Sequence, residues 1–113
     1  MITIYHNPRC SKSRECHVFL TSNRKDVRII NYMETPFSRD QLKELIKMLG
    51  IKPKQLVRTS EPLWKAKFKG LNLSDARIIT TMLKNPVLIQ RPIVVNGSKA
   101  VIARPLERID SIL

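Results

Sequence analysis

The sequence contains few cysteines and no long apolar run. Two cysteines in 113 residues are too few for a disulfide framework, so we expect a core held by apolar packing. No apolar run approaches the ~18 residues of a membrane-spanning helix, and the N-terminal residues lack the pattern of a secretory signal. These absences predict a cytoplasmic protein without a membrane partner, in a compartment where thiols stay reduced.

Acidic and aromatic residues are also scarce. The 21 Lys and Arg residues outnumber 9 Asp and Glu residues, giving a formal charge of +12. Nucleic-acid binding, an anionic substrate or partner, and a solvated cationic surface could each explain this charge. Nucleic-acid binding is not expected, because the basic residues are scattered, aromatic residues reach only 5%, and no known binding motif occurs. The two His and two Cys residues lack zinc-site spacing, so no metal is expected.

One short stretch, residues 5–14, concentrates the chemistry. It lies between an apolar strand pattern and a helix pattern, and places Cys10 in the turn that joins them. Its cationic or potentially cationic side chains are His6, Arg9, Lys12 and Arg14. A helix N-terminus and neighbouring cations lower the pKa of a thiol from about 8.5 to about 3.5–7.5. We therefore predict that Cys10 is a thiolate nucleophile, in a setting that also suits an oxyanion.

Two neighbours are candidates to assist this thiol. His6 either donates a hydrogen bond that lowers the pKa of the thiol or is merely the last side chain of a strand. Arg14 lies in the first helical turn, where a cation opposes the helix dipole, so a role toward the thiolate or its ligand is favoured.

The second cysteine has a different pattern. Cys16, Phe19 and Leu20 follow the i, i+3, i+4 spacing of an inner helix face, which predicts a core position for Cys16. A Cys10–Cys16 disulfide would require the turn to unwind. His17 is expected on the surface.

Both ends of the chain carry strand signals. Strands over 2–5 and 27–32, with a turn over 6–13 and a helix over 14–22, predict a parallel βαβ unit. Asn96-Gly97-Ser98 between two apolar runs predicts an antiparallel hairpin. Pro105 is expected to begin a last helix, whose inner side would consist of Leu106, Ile109 and Leu113.

The middle of the chain reads as helices. Ser38 and Gln41 form a capping box before an apolar stripe, and Gly50 followed by Ile51 suits a Schellman ending. Further helices are predicted over 53–58, 61–69 and 74–84. We therefore predict one α/β domain over residues 1–113: a thioredoxin-like fold with a mixed four-stranded sheet. A helical insertion at about 38–84 would separate its βαβ and ββα halves.

Four segments resemble one family. His6-x-x-x-Cys10-x-x-x-Arg14 resembles the signature of the ArsC family, the glutaredoxin-linked arsenate reductases. Residues 88–95 and Ala103-Arg104-Pro105 resemble its second and third signatures, and residues 55–58 match a segment that carries another of its arginines. The segments occur in the family's order and cover nearly the whole chain.

The resemblance implies a specific mechanism. The cysteine matching Cys10 is the nucleophile toward arsenate, and glutathione then attacks the arseno-cysteine before glutaredoxin reduces the product. The arginines that would hold the oxyanion and its thiol adduct are Arg58, Arg91 and Arg104. Guanidinium groups suit this task because they bind oxyanions as planar forks and stay protonated. The resemblance also implies a cis peptide bond before Pro92, facing the thiol.

One departure bears on the alternatives. The turn reads Cys10-Ser11-Lys12-Ser13 and lacks the second cysteine that Spx-type regulators generally carry there. We predict a monomeric arsenate reductase, with glutathione as co-substrate, glutaredoxin as partner and no bound cofactor. A thiol oxidoreductase of the same family with a non-arsenate substrate is an alternative. So is a non-enzymatic transcriptional regulator of the Spx type.

Overall fold

The computed structural model describes residues 1–24 and 26–113, which form two compact units. The first unit comprises Met1–Thr35 and Arg91–Leu113, and the second comprises Pro36–Gln90. Among the described helices, none has the length and apolar character needed to cross a membrane. The organisation of residues 1–113 as a single domain stays a prediction.

The first unit is built on a mixed four-stranded sheet in the order β2-β1-β3-β4. Its strands are β1 (Ile2–His6), β2 (Val27–Asn31), β3 (Ile93–Asn96) and β4 (Lys99–Ile102). β1 pairs in parallel with β2 and antiparallel with β3, while β3 and β4 form a hairpin. Gly97 has a positive φ of 64° in the hairpin turn, which an L side chain rarely adopts. The predicted mixed sheet, parallel pair and hairpin are confirmed.

Helix α1 (Ser11–Asn23) connects β1 to β2 and begins earlier than predicted. The predicted turn over 6–13 is wrong, because the chain reverses within four residues: the Cys10 N–H donates to the Asn7 carbonyl at 3.0 Å. Cys10 is therefore the N-cap residue of α1.

One side of the sheet and α1 enclose an apolar core. As predicted, Cys16 and Leu20 are fully buried and Phe19 packs partly against them. The other buried members of this core are Ile2, Ile4, Val94, Ala103, Ile109 and Ile112. The first unit thus has its own apolar core, which fixes α1 on the sheet.

The end of the chain differs from the prediction. Residues Leu106–Ser111 form a 3₁₀ helix, in which three residues make a turn. Ile109 and Ile112 therefore lie on one face and are both buried, whereas Leu113 is 47% exposed. The predicted inward position of Leu113 is wrong because it assumed the wider α-helical period.

The second unit is helical. Its elements are α2 (Arg39–Leu49), a 3₁₀ helix (Pro53–Leu56), α3 (Pro62–Lys67), α4 (Asp75–Lys84) and a 3₁₀ helix (Pro86–Leu88).

The ends of α2 follow the sequence signals closely. The Ser38 side chain accepts from the Gln41 N–H at 3.1 Å, and the Gln41 side chain accepts from the Ser38 N–H at 2.9 Å. Gly50 takes a left-handed conformation with φ 67°, and the Ile51 N–H donates to the Ile46 carbonyl. The predicted capping box and Schellman ending are confirmed.

Candidate active site

The loop after β1 places Cys10 at the start of α1. The Arg9 N–H donates to the Asn7 Oδ1 atom at 3.0 Å, and the Cys10 N–H donates to the Asn7 carbonyl at the same distance. Asn-Pro suits the first two positions of such a turn, because the Asn side chain bonds the backbone and Pro8 presets φ. Cys10 then has extended backbone angles, φ −94° and ψ 123°, which are usual for an N-cap residue.

Cys10 is nearly buried, at 9% exposure, and the groups around it favour the thiolate. Burial by itself raises the pKa of this thiol. The Ser13 N–H, a hydrogen bond from the Arg91 side chain, the Lys12 N–H and the charge of Arg91 lower it, and together they prevail. The pKa of Cys10 therefore lies below its ordinary value. The Lys12 and Ser13 amides belong to the first turn of α1, so the start of this helix favours the thiolate.

Ser13 joins this turn to the end of β1. It is fully buried, and its Oγ atom accepts from the Asn7 N–H at 2.9 Å. The same Oγ atom lies 2.6 Å from the Nδ1 atom of His6. Burial lowers the pKa of His6, with further lowering from the charges of His17 and Arg14, while the Ser13 hydrogen bond raises it. A neutral imidazole can accept the Ser13 hydroxyl proton at Nδ1, which leaves the hydroxyl oxygen for Asn7.

Arg14 and His17 also contact this region. The Arg14 Nη1 atom donates to the Pro8 carbonyl at 2.9 Å, so the side chain is attached to the turn that carries Cys10. The rings of His6 and His17 lie 5.0 Å apart at an interplanar angle of 61°. His17 is partly exposed, and its ring packs against that of His6. Direct action of His6 or Arg14 on the substrate stays a prediction.

Arg91 lies at Cys10, and Arg104 contacts the backbone of Arg91. Arg91 is buried and its side chain bonds Cys10, while the Arg104 Nη1 atom donates to the Arg91 carbonyl at 3.3 Å. The Ala103 N–H donates to the Pro92 carbonyl at 2.9 Å and links the two segments. The predicted cis bond before Pro92 is confirmed, and the Arg104–Pro105 bond is also cis.

Arg58 belongs to the second unit. Its N–H donates to the Leu88 carbonyl at 2.7 Å, and its Nη1 atom lies 3.9 Å from the Glu61 Oε2 atom. Its side chain is half-buried. The assignment of Arg58 to oxyanion binding stays a prediction.

Cys16 offers no second reactive thiol. Burial, with a smaller effect from the Glu15 charge, raises its pKa to about 12. The side chain is enclosed in the apolar core of the first unit. Within residues 1–24 and 26–113, no group of three His, Cys, Asp or Glu side chains is arranged to hold a metal ion.

Sequence reasoning missed Ser13 and Asn7. The Asn-Pro pair is a turn signal that could have been used to place the start of α1 at Ser11. With that start, Ser13 is the third helical residue, whose amide points toward the N-cap side chain. The burial of its hydroxyl has no local signature in the sequence.

Comparison with known proteins gives a consistent result. A model of the ArsC family matches residues 5–112. The arsenate reductase of Haemophilus influenzae is 40% identical, with 99% of this chain and 98% of that protein covered. The uncharacterized protein YfgD of Escherichia coli (strain K12) is 42% identical, with coverage of 96% and 92%. The solved structure of the Vibrio cholerae arsenate reductase has a TM-score of 0.93 at 39% identity, covering 99% of this chain and 97% of that one.

Proposed function

Because the chain belongs to the ArsC family, we propose that it is an arsenate reductase whose nucleophile is Cys10. The observation that carries the proposal is the setting of Cys10 at the N-cap of α1. Two helix amides and the Arg91 side chain outweigh the effect of burial and favour its thiolate. Donors of this kind also suit the oxygen atoms of a tetrahedral anion. Relatives named arsenate reductase support arsenate as that anion.

The first step would be attack of the thiolate on arsenic. A sulfur–arsenic bond forms, and one arsenate oxygen leaves as water after protonation. Arsenate is negatively charged near neutral pH, so cations must offset its repulsion of the thiolate. Arg91 is in place at the thiol, and Arg104 is attached to the Arg91 carbonyl. We propose that these two arginines and Arg58 bind the oxyanion and the adduct.

Reduction then needs two electrons from outside the chain. The sequence has no cysteine besides Cys10 and Cys16, and Cys16 is a buried thiol with a pKa of about 12. We propose that the thiol of glutathione bonds to arsenic and displaces a second oxygen as water. A glutaredoxin thiolate would attack the glutathione sulfur, and the sulfur–arsenic electron pair would reduce As(V) to As(III). A glutathione–glutaredoxin disulfide forms, and water releases arsenite from Cys10.

His6 and Arg14 would serve the nucleophile through the turn. His6 fixes Ser13, whose amide stabilises the thiolate, and Arg14 fixes the Pro8 carbonyl. We further propose that the protein is monomeric and cytoplasmic, that it has no bound cofactor, and that residues 1–113 fold as one domain.

The test is arsenite production from arsenate with glutathione and glutaredoxin. We expect turnover in the wild-type protein, none with Cys10→Ser, and no turnover when either reductant is omitted. Circular dichroism of Cys10→Ser should remain native, because this side chain supplies chemistry rather than a large share of the packing. Absence of wild-type turnover, with a thiol that is still alkylated rapidly, would refute the reductase. It would favour a thiol oxidoreductase with another substrate.

A further inference from the structure

The second unit has a cavity of about 430 Å³ where α3 ends. Among the described residues, its lining includes lysines but no carboxylate. One wall is apolar, because Trp64 is only 6% exposed and the half-buried Phe68 ring lies 5.7 Å from it. The lysines of the lining are all exposed: Lys54, Lys65 and Lys69. A cavity of this size and lining suits an anionic group that is attached to an apolar one.

An apolar side chain is fixed at the edge of this cavity. Leu71 is 57% exposed and belongs to the lining. A turn sets its position: the Leu71 N–H donates to the Phe68 carbonyl at 3.1 Å, and Gly70 has a φ of 88°. That positive φ is readily adopted only by glycine. The backbone therefore holds Leu71 at the surface beside Phe68, where its apolar area is available to a ligand.

A second cavity in the same unit extends this surface. Lys54 and Thr59 line both cavities and join them into one basic groove. The described lining of the second cavity again contains no carboxylate, and its further members are Lys52, Gln55, Val57 and Gln90. Four lysines thus follow the basic groove, and the exposed apolar group lies towards one end. This elongated arrangement suits an extended chain better than a compact anion.

We propose that the basic groove binds an extended acidic segment of a partner protein. An apolar side chain of that segment would contact Phe68 and Leu71, and its carboxylates would contact the lysines. Charge complementarity carries the assignment, and an acidic partner also accounts for part of the formal charge of +12. Nucleic acid fits less well, because Trp64 is too buried to stack with a base and the lining has no arginine fork.

Binding can be measured on the unlabelled protein. Trp64 is the only tryptophan of the sequence, so its fluorescence reports on the basic groove. The probe is a short capped peptide of glutamates with interspersed leucines. Its titration should change the fluorescence saturably, with an affinity that falls as salt screens the lysines. No change in fluorescence, with unmoved amide signals of Lys65, Phe68 and Leu71 in ¹⁵N-labelled protein, would overturn the proposal. Equal binding of a peptide with glutamine in place of glutamate would also overturn it.

Variants with a matched control locate the charge contact. Lys69→Gln should raise the Kd for the acidic peptide about two- to fivefold, the range for one exposed charge contact. Lys43→Gln removes the same charge from an exposed position of α2 that lines neither cavity, and it should leave the Kd unchanged. Equal losses in the two variants would show that only net charge attracts the peptide, and would refute the groove.

The apolar contact is tested by a cycle of variant and peptide. Leu71→Ser should raise the Kd for the leucine-containing peptide about tenfold, because apolar surface is no longer buried. A peptide with serine in place of leucine should bind more weakly to the wild-type protein but be unaffected by Leu71→Ser. Equal losses for both peptides would contradict the assigned contact.

A single-stranded oligothymidylate of equal charge distinguishes nucleic acid from an acidic protein. We expect it to bind more weakly than the acidic peptide at the same salt concentration. Equal or tighter binding that is lost with Lys69→Gln would overturn the assignment to a protein partner. These measurements do not depend on arsenate turnover, so failure of this inference leaves the proposed function untouched.

Discussion

Replacing Cys16 by alanine and, separately, by serine should lower stability without lowering arsenate turnover. Cys16 is fully buried among Ile4, Leu20 and Ile109 in the core of the first unit. Its thiol, with a pKa of about 12, is a packing group rather than a reactant. The variants therefore separate a reductase that uses external thiols from one that uses an internal resolving cysteine.

The expected losses differ in origin. Alanine removes one methyl-sized group from a packed core, which costs about 0.5–1.5 kcal/mol. Serine keeps the shape but buries a hydroxyl among apolar side chains, which costs about 1–3 kcal/mol when the group has no partner. A bond to the carbonyl four residues earlier in α1 would reduce that cost. Both losses are smaller than the ~5–15 kcal/mol by which domains are stable, so both variants should fold.

Urea unfolding followed by circular dichroism measures these losses. At a slope near 2 kcal/mol/M, each kcal/mol lowers the midpoint by about 0.5 M, and serine should lie below alanine. Arsenite production should match the wild-type rate in both variants at a temperature where they are folded. A Cys16→Ala protein with a native midpoint and no turnover would refute the reasoning, because Cys16 would then be a resolving thiol.

Three further predictions address the site and the second unit. Arg91→Met should raise the pKa of Cys10, because a hydrogen bond and a charge are lost. The pH midpoint of Cys10 alkylation should then rise, and it should rise less with Arg91→Lys, which keeps the positive charge. An unchanged midpoint with Arg91→Met would contradict the role of Arg91 in lowering the pKa of Cys10. Since burial lowers the pKa of His6, the unfolded chain binds a proton more readily, and the free energy of unfolding should fall as pH drops below about 6.5. His6→Asn, which can still form a hydrogen bond with Ser13, should make the free energy of unfolding less dependent on pH in urea titrations. An equally steep fall in stability at low pH would exclude His6 as the cause. Ser38→Ala should lower the free energy of unfolding by about 1 kcal/mol, and an unchanged urea midpoint would mean the cap contributes nothing.

The sheet and α2 could be predicted because their signals are local. Alternating apolar residues and an Asn-Gly turn determine the strands, and the Ser38–Gln41 capping box determines where α2 begins. The start of α1 was missed because its first turn, Ser11-Lys12-Ser13, is polar and has no apolar period. The prediction for the last segment placed Leu113 inward because it used the α-helical period of 3.6. Six residues do not distinguish that period from the period of three, which buries Ile112 instead.

The reactive thiol could be predicted in direction, but only part of its cause is local. Charge reasoning relied on cationic side chains near Cys10, and the helix N-terminus is indeed there. Burial raises the pKa of Cys10, and distant positive charges do not replace the hydrogen bonds that a buried thiolate loses from water. Hydrogen-bond donors must therefore point directly at the sulfur. Those donors are the amides of Ser13 and Lys12 and a side chain from a distant segment, Arg91. The turn residues in the sequence could have been used to predict the two amides. Arg91, in contrast, reaches Cys10 only because β3 pairs with β1. The reactivity of the nucleophile therefore depends on the completed sheet.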